Sequence, residues 1–314
     1  MDDALVVIIE TVLQTLAAGV LVGFLYGLMC VGLGMIFGVM RVINFAQGDF
    51  MMLGMYVAII VAGMMGGFSP YITAVFAAML AGAVVFVAGY FVQILLLSKA
   101  TGASDPGTAD GHYTQLVLTL GLALIMQNAA LIFFGSTPRT ISSPLSSTAW
   151  QINFGDIYIF LNQGRVLAAL VAILVSVVLF LFVTRTSLGR ALRAAADNPN
   201  AAVYVGVRVD RAHRLAFAIG TGITAIAGAL LATYYTAQPF IGLEFVIVMY
   251  AGVVLGGMGS ILGAFWGGMT IGIVQQLSSL LLPTQLQNTT IFVVFLAILL
   301  FRPEGFFGRS AERT

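Results

Sequence analysis

Apolar runs separated by short polar breaks make up most of this chain. They cover roughly residues 11–38, 50–66, 70–97, 113–134, 165–183, 213–235, 245–257, 261–282 and 288–301. A helix rising 1.5 Å per residue needs about 20 apolar residues to cross a bilayer. With one crossing per run, the pattern predicts nine transmembrane helices. The runs 245–257 and 288–301 are short enough to be tilted, partial or re-entrant, so the range is eight to ten. The expected fold is all-α and polytopic, a single membrane domain over residues 1–314.

The polar breaks differ in character. Residues 98–112 are polar and turn-rich. Residues 135–164 form the longest connection and end in WQINFGDIYIF, which alternates around Asn153–Asp156 like a small hairpin. Residues 184–214 hold six of the thirteen Lys and Arg residues: Arg185, Arg190, Arg193, Arg208, Arg211 and Arg214. Within them Gly189–Ala196 favours a short helix. Asn198-Pro199-Asn200 breaks it, and Ala201–Val207 starts a second turn. A basic island between spans reads as a cytoplasmic loop. Its inner structure leaves two readings open, a loop that only sets topology and a docking site for a soluble partner. If 184–214 is cytoplasmic, parity places the C-terminus and loop 98–112 on the same side. The N-terminus and loop 135–164 then lie outside.

Composition supports lipid as the solvent. The chain is 60% hydrophobic and 8% charged, where a soluble domain carries roughly 25% charged residues. Its mean hydropathy is +1.06. A net charge of +1 argues against a nucleic-acid partner. One cysteine, Cys30, forms neither a disulfide framework nor a cysteine metal site. His112 and His213 flank spans and fit no ligand pattern. Met1-Asp2-Asp3 lacks the basic start of a cleaved signal peptide, so the first run is expected to be retained. There is no GxxxxGK[ST] loop, no GxSxG and no HExxH, so no cofactor and no enzymatic activity are expected in this chain.

The candidate working residues sit at breaks. Arg41, Asn44, Gln47 and Asp49 crowd RVINFAQGDF. Asn44, Gln47 and Asp49 are read either as shaping a gate or as helix caps. Asp49 and Glu244 come nearest to ionisable groups inside the bilayer, both are placed at span ends, and Glu244 joins Asn44, Gln47 and Asp49 as a candidate for the gate or translocation path. Gln127-Asn128 lies inside a span, where buried amides need partners, and is read as a tie between helices. Gly19, Gly23 and Gly27 share one helix face and predict close packing. Gly256, Gly257, Gly259 and Gly263 predict a tight turn. Met51, Met52, Met55 and Met249 are read as packing or as walls of an apolar path. DFMMLGMY (49–56) and EFVIVMY (244–250) share an acid, Phe and Met-Tyr. Parity puts them on opposite sides of the membrane, as an inverted-topology repeat does.

Taken in order, NFAQGDFMMLGMY (44–56), GRALRAAADNPNAAVYVGV (189–207), AGALLA (227–232), VVLGGMGSILGAFWGG (253–268) and LLFRPEGFFG (299–308) resemble the permease subunits of branched-chain amino acid ABC importers, with the shorter H-type (LivH-like) subunit the better match. The resemblance implies transport of branched-chain amino acids across the bacterial inner membrane. It also implies several partners: a second permease subunit, M-type or another copy, two cytoplasmic ATPase subunits carrying Mg-ATP, and a periplasmic substrate-binding protein. It makes 184–214 the ATPase-coupling loop, with Gly189, Arg190, Arg193, Ala194, Asn198 and Gly206 carrying the match. Related permeases leave a urea or short-amide substrate as an alternative. Outside the family, an ion-coupled amino acid transporter remains the other reading.

Overall fold

The computed structural model describes residues 3–98, 109–141, 143–154, 157–283, 286–302 and 305–307. Most of loop 98–112, the hairpin tip at residues 155–156, Arg309 and Arg313 fall outside these, as does the His112 side chain. Each predicted run forms one helix. They are α1 (Asp3–Met40), α2 (Gln47–Met64), α3 (Pro70–Val92, continued by one π turn over Gln93–Leu97), α4 (Ala109–Phe134), α6 (Gln163–Arg185), α9 (Val209–Leu231), α10 (Ile241–Gly256), α11 (Ile261–Ser278) and α12 (Gln287–Phe301). Among the described residues six helices, α1, α2, α3, α4, α6 and α9, are long and apolar enough to cross a membrane. The other three have 16, 18 and 15 residues. His213 lies within α9 rather than beside it.

The connections contain the smaller predicted elements. A four-residue helix α5 (Pro144–Ser147) precedes strands β1 (Ala149–Phe154) and β2 (Ile157–Asn162). The strands pair antiparallel, with Ala149 opposite Asn162 and Ile152 opposite Ile159. The free edge of β2 is covered by α1. Glu10 accepts from the Tyr158 amide at 3.1 Å. Gln14 accepts from the Phe160 amide at 2.8 Å and donates to its carbonyl at 2.6 Å. Two side chains four apart on one helix face thus satisfy an edge that otherwise invites pairing with another chain. The basic loop folds as two short helices, α7 (Ser187–Asp197) and α8 (Pro199–Tyr204). Their boundaries follow from capping. Thr186 Oγ1 accepts from the Gly189 amide at 3.0 Å, and Asn198 Oδ1 accepts from the Ala201 amide at 3.0 Å.

The two ends of the bundle are distinct. At one end stand the hairpin, the segment before it and residues 232–240, with Arg139 of that segment pairing with Ala237. At the other stand residues 41–46, the α7–α8 pair, the α10–α11 turn and residues 305–307. There Phe306 and Phe307 donate their amides to the carbonyls of Leu255 and Gly256 at 2.9 and 3.1 Å. These contacts close the end of α10, whose last carbonyls have no partner within the helix.

Small residues set the packing between helices. A Cβ on Gly19, Gly23 or Gly27 meets Ile273, Met269 or Phe265 of α11 at 3.1, 2.8 and 2.9 Å. The four-residue spacing on α1 therefore matches the same spacing, reversed, on α11. On the other side α9 lies along α3. A Cβ on Gly82 meets Ile226 at 2.5 Å, and one on Gly222 meets Phe86 at 3.1 Å. Between these pairs α1 crosses α9 where Gly32 and Gly220 face each other. A Cβ on either meets the other's carbonyl oxygen, at 2.6 and 2.5 Å. The triplets α1–α2–α3 and α9–α10–α11 run in opposite directions and exchange equivalent contacts. This is the inverted arrangement that the short repeat hinted at.

Candidate functional site

The break between α1 and α2 is shorter than the sequence reading drew it. Residues 41–46 lack helix, while Gln47 and Asp49 belong to the first turn of α2. That turn is inside the bundle. Asn44 and Gln47 have no solvent exposure, and Asp49 has 1%. Asn44 Oδ1 accepts from the Ala46 amide at 3.1 Å, and its Nδ2 donates to Gln47 Oε1 at 2.9 Å. Gln47 Nε2 then donates to Thr224 Oγ1 at 2.6 Å and to the Gly220 carbonyl at 3.2 Å. Gly220 is midway along α9, so α2 starts at the middle of the bundle and not at its face. Gln127 Nε2 donates to Asp49 Oδ1 at 3.0 Å, tying α4 to α2. Its neighbour Asn128 bonds back to Leu124 of its own helix.

Helix α10 begins beside that turn. A Cβ on Gly48 would press on Gly242, and one on Gly242 would meet Asp49 Oδ1 at 2.5 Å. The N-termini of α2 and α10 thus meet inside the protein. One helix leaves toward the hairpin end and the other toward the basic end. The two helices run in opposite directions with Asp49 and Glu244 in their first turns, and the first turn of α2 lies inside the bundle and not at its face. Hydropathy reports how long a run is, and a helix that starts within the bilayer gives the same signal as one that starts at its face. Asp49 lies in the first turn of α2 and against Gly242 at the start of α10, so its carboxyl stands beside two helix N-termini.

Glu244 belongs to a second network. Asn288 Nδ2 donates to Glu244 Oε1 at 3.2 Å, Gln275 Nε2 to Asn288 Oδ1 at 3.2 Å, and the Tyr26 hydroxyl to Gln275 Oε1 at 2.8 Å. The chain links α10, α12, α11 and α1. It shares no hydrogen bond with Asn44, Gln47 or Asp49 among the described residues. The four residues grouped as a gate are therefore two separate clusters. The repeat's tyrosines both meet phenylalanines: Tyr250 lies tilted against Phe45 with ring centroids 5.6 Å apart, and Tyr56 stacks on Phe134 at 4.1 Å. Met51, Met52, Met55 and Met249 have no exposure and lie in the core, so they are packing and line no open path.

The coupling candidates divide by role. Gly189 is buried, and a Cβ there would meet the Phe182 carbonyl at 2.5 Å, which seats α7 on the end of α6. Ala194 is half-buried. Asn198 caps α8, and Gly206 has φ +83°, a turn that suits glycine. Arg190 and Arg193 face outward. Arg193 Nη2 also donates to the Thr184 carbonyl at 3.3 Å. Val203, Tyr204 and Val205 at the tip of α8 are 59%, 90% and 77% exposed. The sequence reading passed over these three. Their signal was an apolar triplet inside an otherwise basic, polar loop. A cavity of about 980 Å³ opens at this end, with Phe37, Arg41, Tyr113, Phe180, Arg193 and Asp197 among its lining residues.

A family model described as the permease component of the branched-chain amino acid transport system matches residues 15–301. The chain belongs to this family. The permease is 32% identical over 307 residues to LivH, the high-affinity branched-chain amino acid transport system permease protein of Escherichia coli K12. That alignment covers 95% of this chain and 96% of LivH. It is 30% identical over 304 residues to BraD of Pseudomonas aeruginosa, covering 95% and 96%. Similarity to the ribose import permease RbsC of Bacillus subtilis is 26% over 204 residues, 62% of each chain. No solved structure matches the permease. The glycines at 256, 257, 259 and 263 turn the permease between α10 and α11 as expected. Gly257 and Gly259 have φ +100° and +93°, and a Cβ on Gly256 would strike Gly263.

Proposed function

We propose that this permease is one membrane subunit of an ABC importer that carries branched-chain amino acids across the bacterial inner membrane. Two cytoplasmic ATPase subunits with Mg-ATP supply the energy. A second permease subunit, M-type or another copy, completes the path, and a periplasmic binding protein delivers the amino acid. The substrate follows from relatives named for branched-chain amino acids that align over nearly their whole length. The observation that carries the reading is the α7–α8 pair. It is a capped, outward-facing helix pair with exposed arginines and an apolar tip, in a sequence without a GxxxxGK[ST] loop.

Positive charge sets the orientation. Arg41, Arg185, Arg190, Arg193, Arg208, Arg211, Arg214 and Arg302 lie at or near the α7–α8 end, against Arg139 and Arg165 at the hairpin end. By the positive-inside rule the α7–α8 end is cytoplasmic, and the tail at 305–307 with it. Because the core is filled, the amino acid passes along a face shared with the second permease subunit and not through this chain. Tilting of α6 and α9, which flank α7–α8, then reaches the middle of the bundle through Gln47, whose side chain bonds α9. Asn44, Gln47 and Asp49 form the inner frame of the gate, and Glu244 with Asn288 the outer one.

Co-purification tests this. In a complex of permease, second permease and ATPases, Arg190→Glu alone and with Arg193→Glu is expected to reach the membrane in normal amount while ATPase recovery and uptake of labelled leucine both fall. Full ATPase recovery by the double variant would remove α7 as the docking element.

A further inference from the structure

Arg41 is the only residue other than glycine with a positive φ, +54°, among the described residues. It follows the last turn of α1, where its amide closes the helix onto the Phe37 carbonyl at 2.8 Å. Helices often end on a left-handed residue, and that residue is usually glycine because a Cβ is disfavoured there. An arginine in this conformation needs a reason, and its side chain supplies one. The exposed guanidinium reaches across to α7, where Nη2 donates to the Ala196 carbonyl at 3.4 Å. Ala196 is the last residue but one of α7. A cation at that helix end faces carbonyls left without partners and the negative pole of the helix.

The same short segment is held from other sides. Thr119 Oγ1 of α4 accepts from the Phe45 amide at 3.4 Å, and its one proton is shared between the Leu116 carbonyl at 3.0 Å and the Ile43 carbonyl at 3.3 Å. Asn44 and Gln47 tie it to α9, as described above. Arg41 is thus the side chain by which the break reaches the end of α7. Below that contact lies the cavity of about 980 Å³, lined by Arg41, Arg193, Ala196 and Asp197. On its other face α7 is seated in the core through Leu192 and Ala195.

We infer that Arg41 is a positioning residue that passes displacement of α7 into the α1–α2 break, so that ATPase movement reaches Asn44 and Gln47. The inference rests on the reading of α7–α8 as the docking element. A left-handed backbone at the end of α1 aims the guanidinium at α7 instead of along α1. When α7 moves, the contact either drags the break with it or lets go. Both change how the first turn of α2 is held.

The test uses the whole importer in proteoliposomes, with wild type, Arg41→Gly, Arg41→Ala and Arg41→Lys. Three quantities are read: ATPase subunits retained, ATP hydrolysed and labelled leucine taken up. Arg41→Gly keeps the backbone conformation at no steric cost and removes only the side chain. It is expected to retain the ATPases and to hydrolyse ATP near the wild-type rate. Leucine uptake should fall about ten-fold, within the range of coupling between linked sites, so more ATP is used per leucine. Arg41→Lys, which keeps a cation, should recover part of the ratio. Arg41→Ala should resemble Arg41→Gly in coupling and melt at lower temperature. An unchanged ratio in Arg41→Gly, or a fall of hydrolysis and uptake in equal proportion, overturns the inference while leaving the docking element standing. If wild type itself retains no ATPase subunits, the docking reading fails and takes this inference with it.

Discussion

Asp49 is a carboxylate with 1% exposure inside a membrane protein, and its one side-chain hydrogen bond comes from Gln127. Ionisable groups at such depth are expensive and mark positions where something holds them. Here the holder is one amide, that of Gln127. Removing the amide leaves a buried oxygen without its donor, at a cost of about 1–3 kcal/mol. Gln127→Leu is therefore expected to lower the melting temperature of the purified protein. Asn128→Leu, at an exposed site that bonds only within α4, is expected to leave it nearly unchanged. Equal shifts in a thermal melt would mean that Asp49 does not depend on Gln127. Most of this was invisible in the residues themselves. Gln127 could be read as a tie between helices, but its partner lies 78 positions earlier and no spacing rule connects them. The backbone of Arg41 was hidden for a similar reason, since arginine seldom takes a left-handed conformation and nothing nearby in sequence announces it.

At the scale of elements the sequence was much more explicit. All nine apolar runs became helices because a chain in lipid has to satisfy its own backbone, and a run of about 20 apolar residues has one way to do so. The hairpin at 149–162 and the two short helices at 187–204 were also legible, through alternation in one case and Asn-Pro punctuation in the other. Helix depth was not. Gly48 and Gly242 bring two N-termini together in the interior, and that meeting depends on tertiary packing rather than on either run. The apolar tip of α8 is an element-scale feature with its own consequence. Tyr204 is 90% exposed, so replacing it should not disturb the fold. An aromatic anchor at an interface is worth about 2 kcal/mol, or roughly thirty-fold in affinity. Tyr204→Ser is expected to keep the wild-type melting temperature and to weaken binding of the ATPase subunits by that order in a titration. Wild-type affinity would place the docking contact on α7 alone.

For the molecule as a whole, two triplets of helices run in opposite directions and cross at Gly32 and Gly220. A basic end carries an exposed pair of capped helices, and the opposite end carries a hairpin seated on α1. The sequence contains no GxxxxGK[ST] loop, and the core is packed. On the proposed reading, ATPase subunits outside this chain move its helices. The most direct measurement is uptake of labelled leucine into proteoliposomes, comparing the full set of subunits with this chain alone. The account predicts uptake that needs the ATPase subunits and ATP on their side of the membrane, and that ignores sodium and proton gradients. Gradient-driven uptake by this chain alone, without ATP, would contradict it.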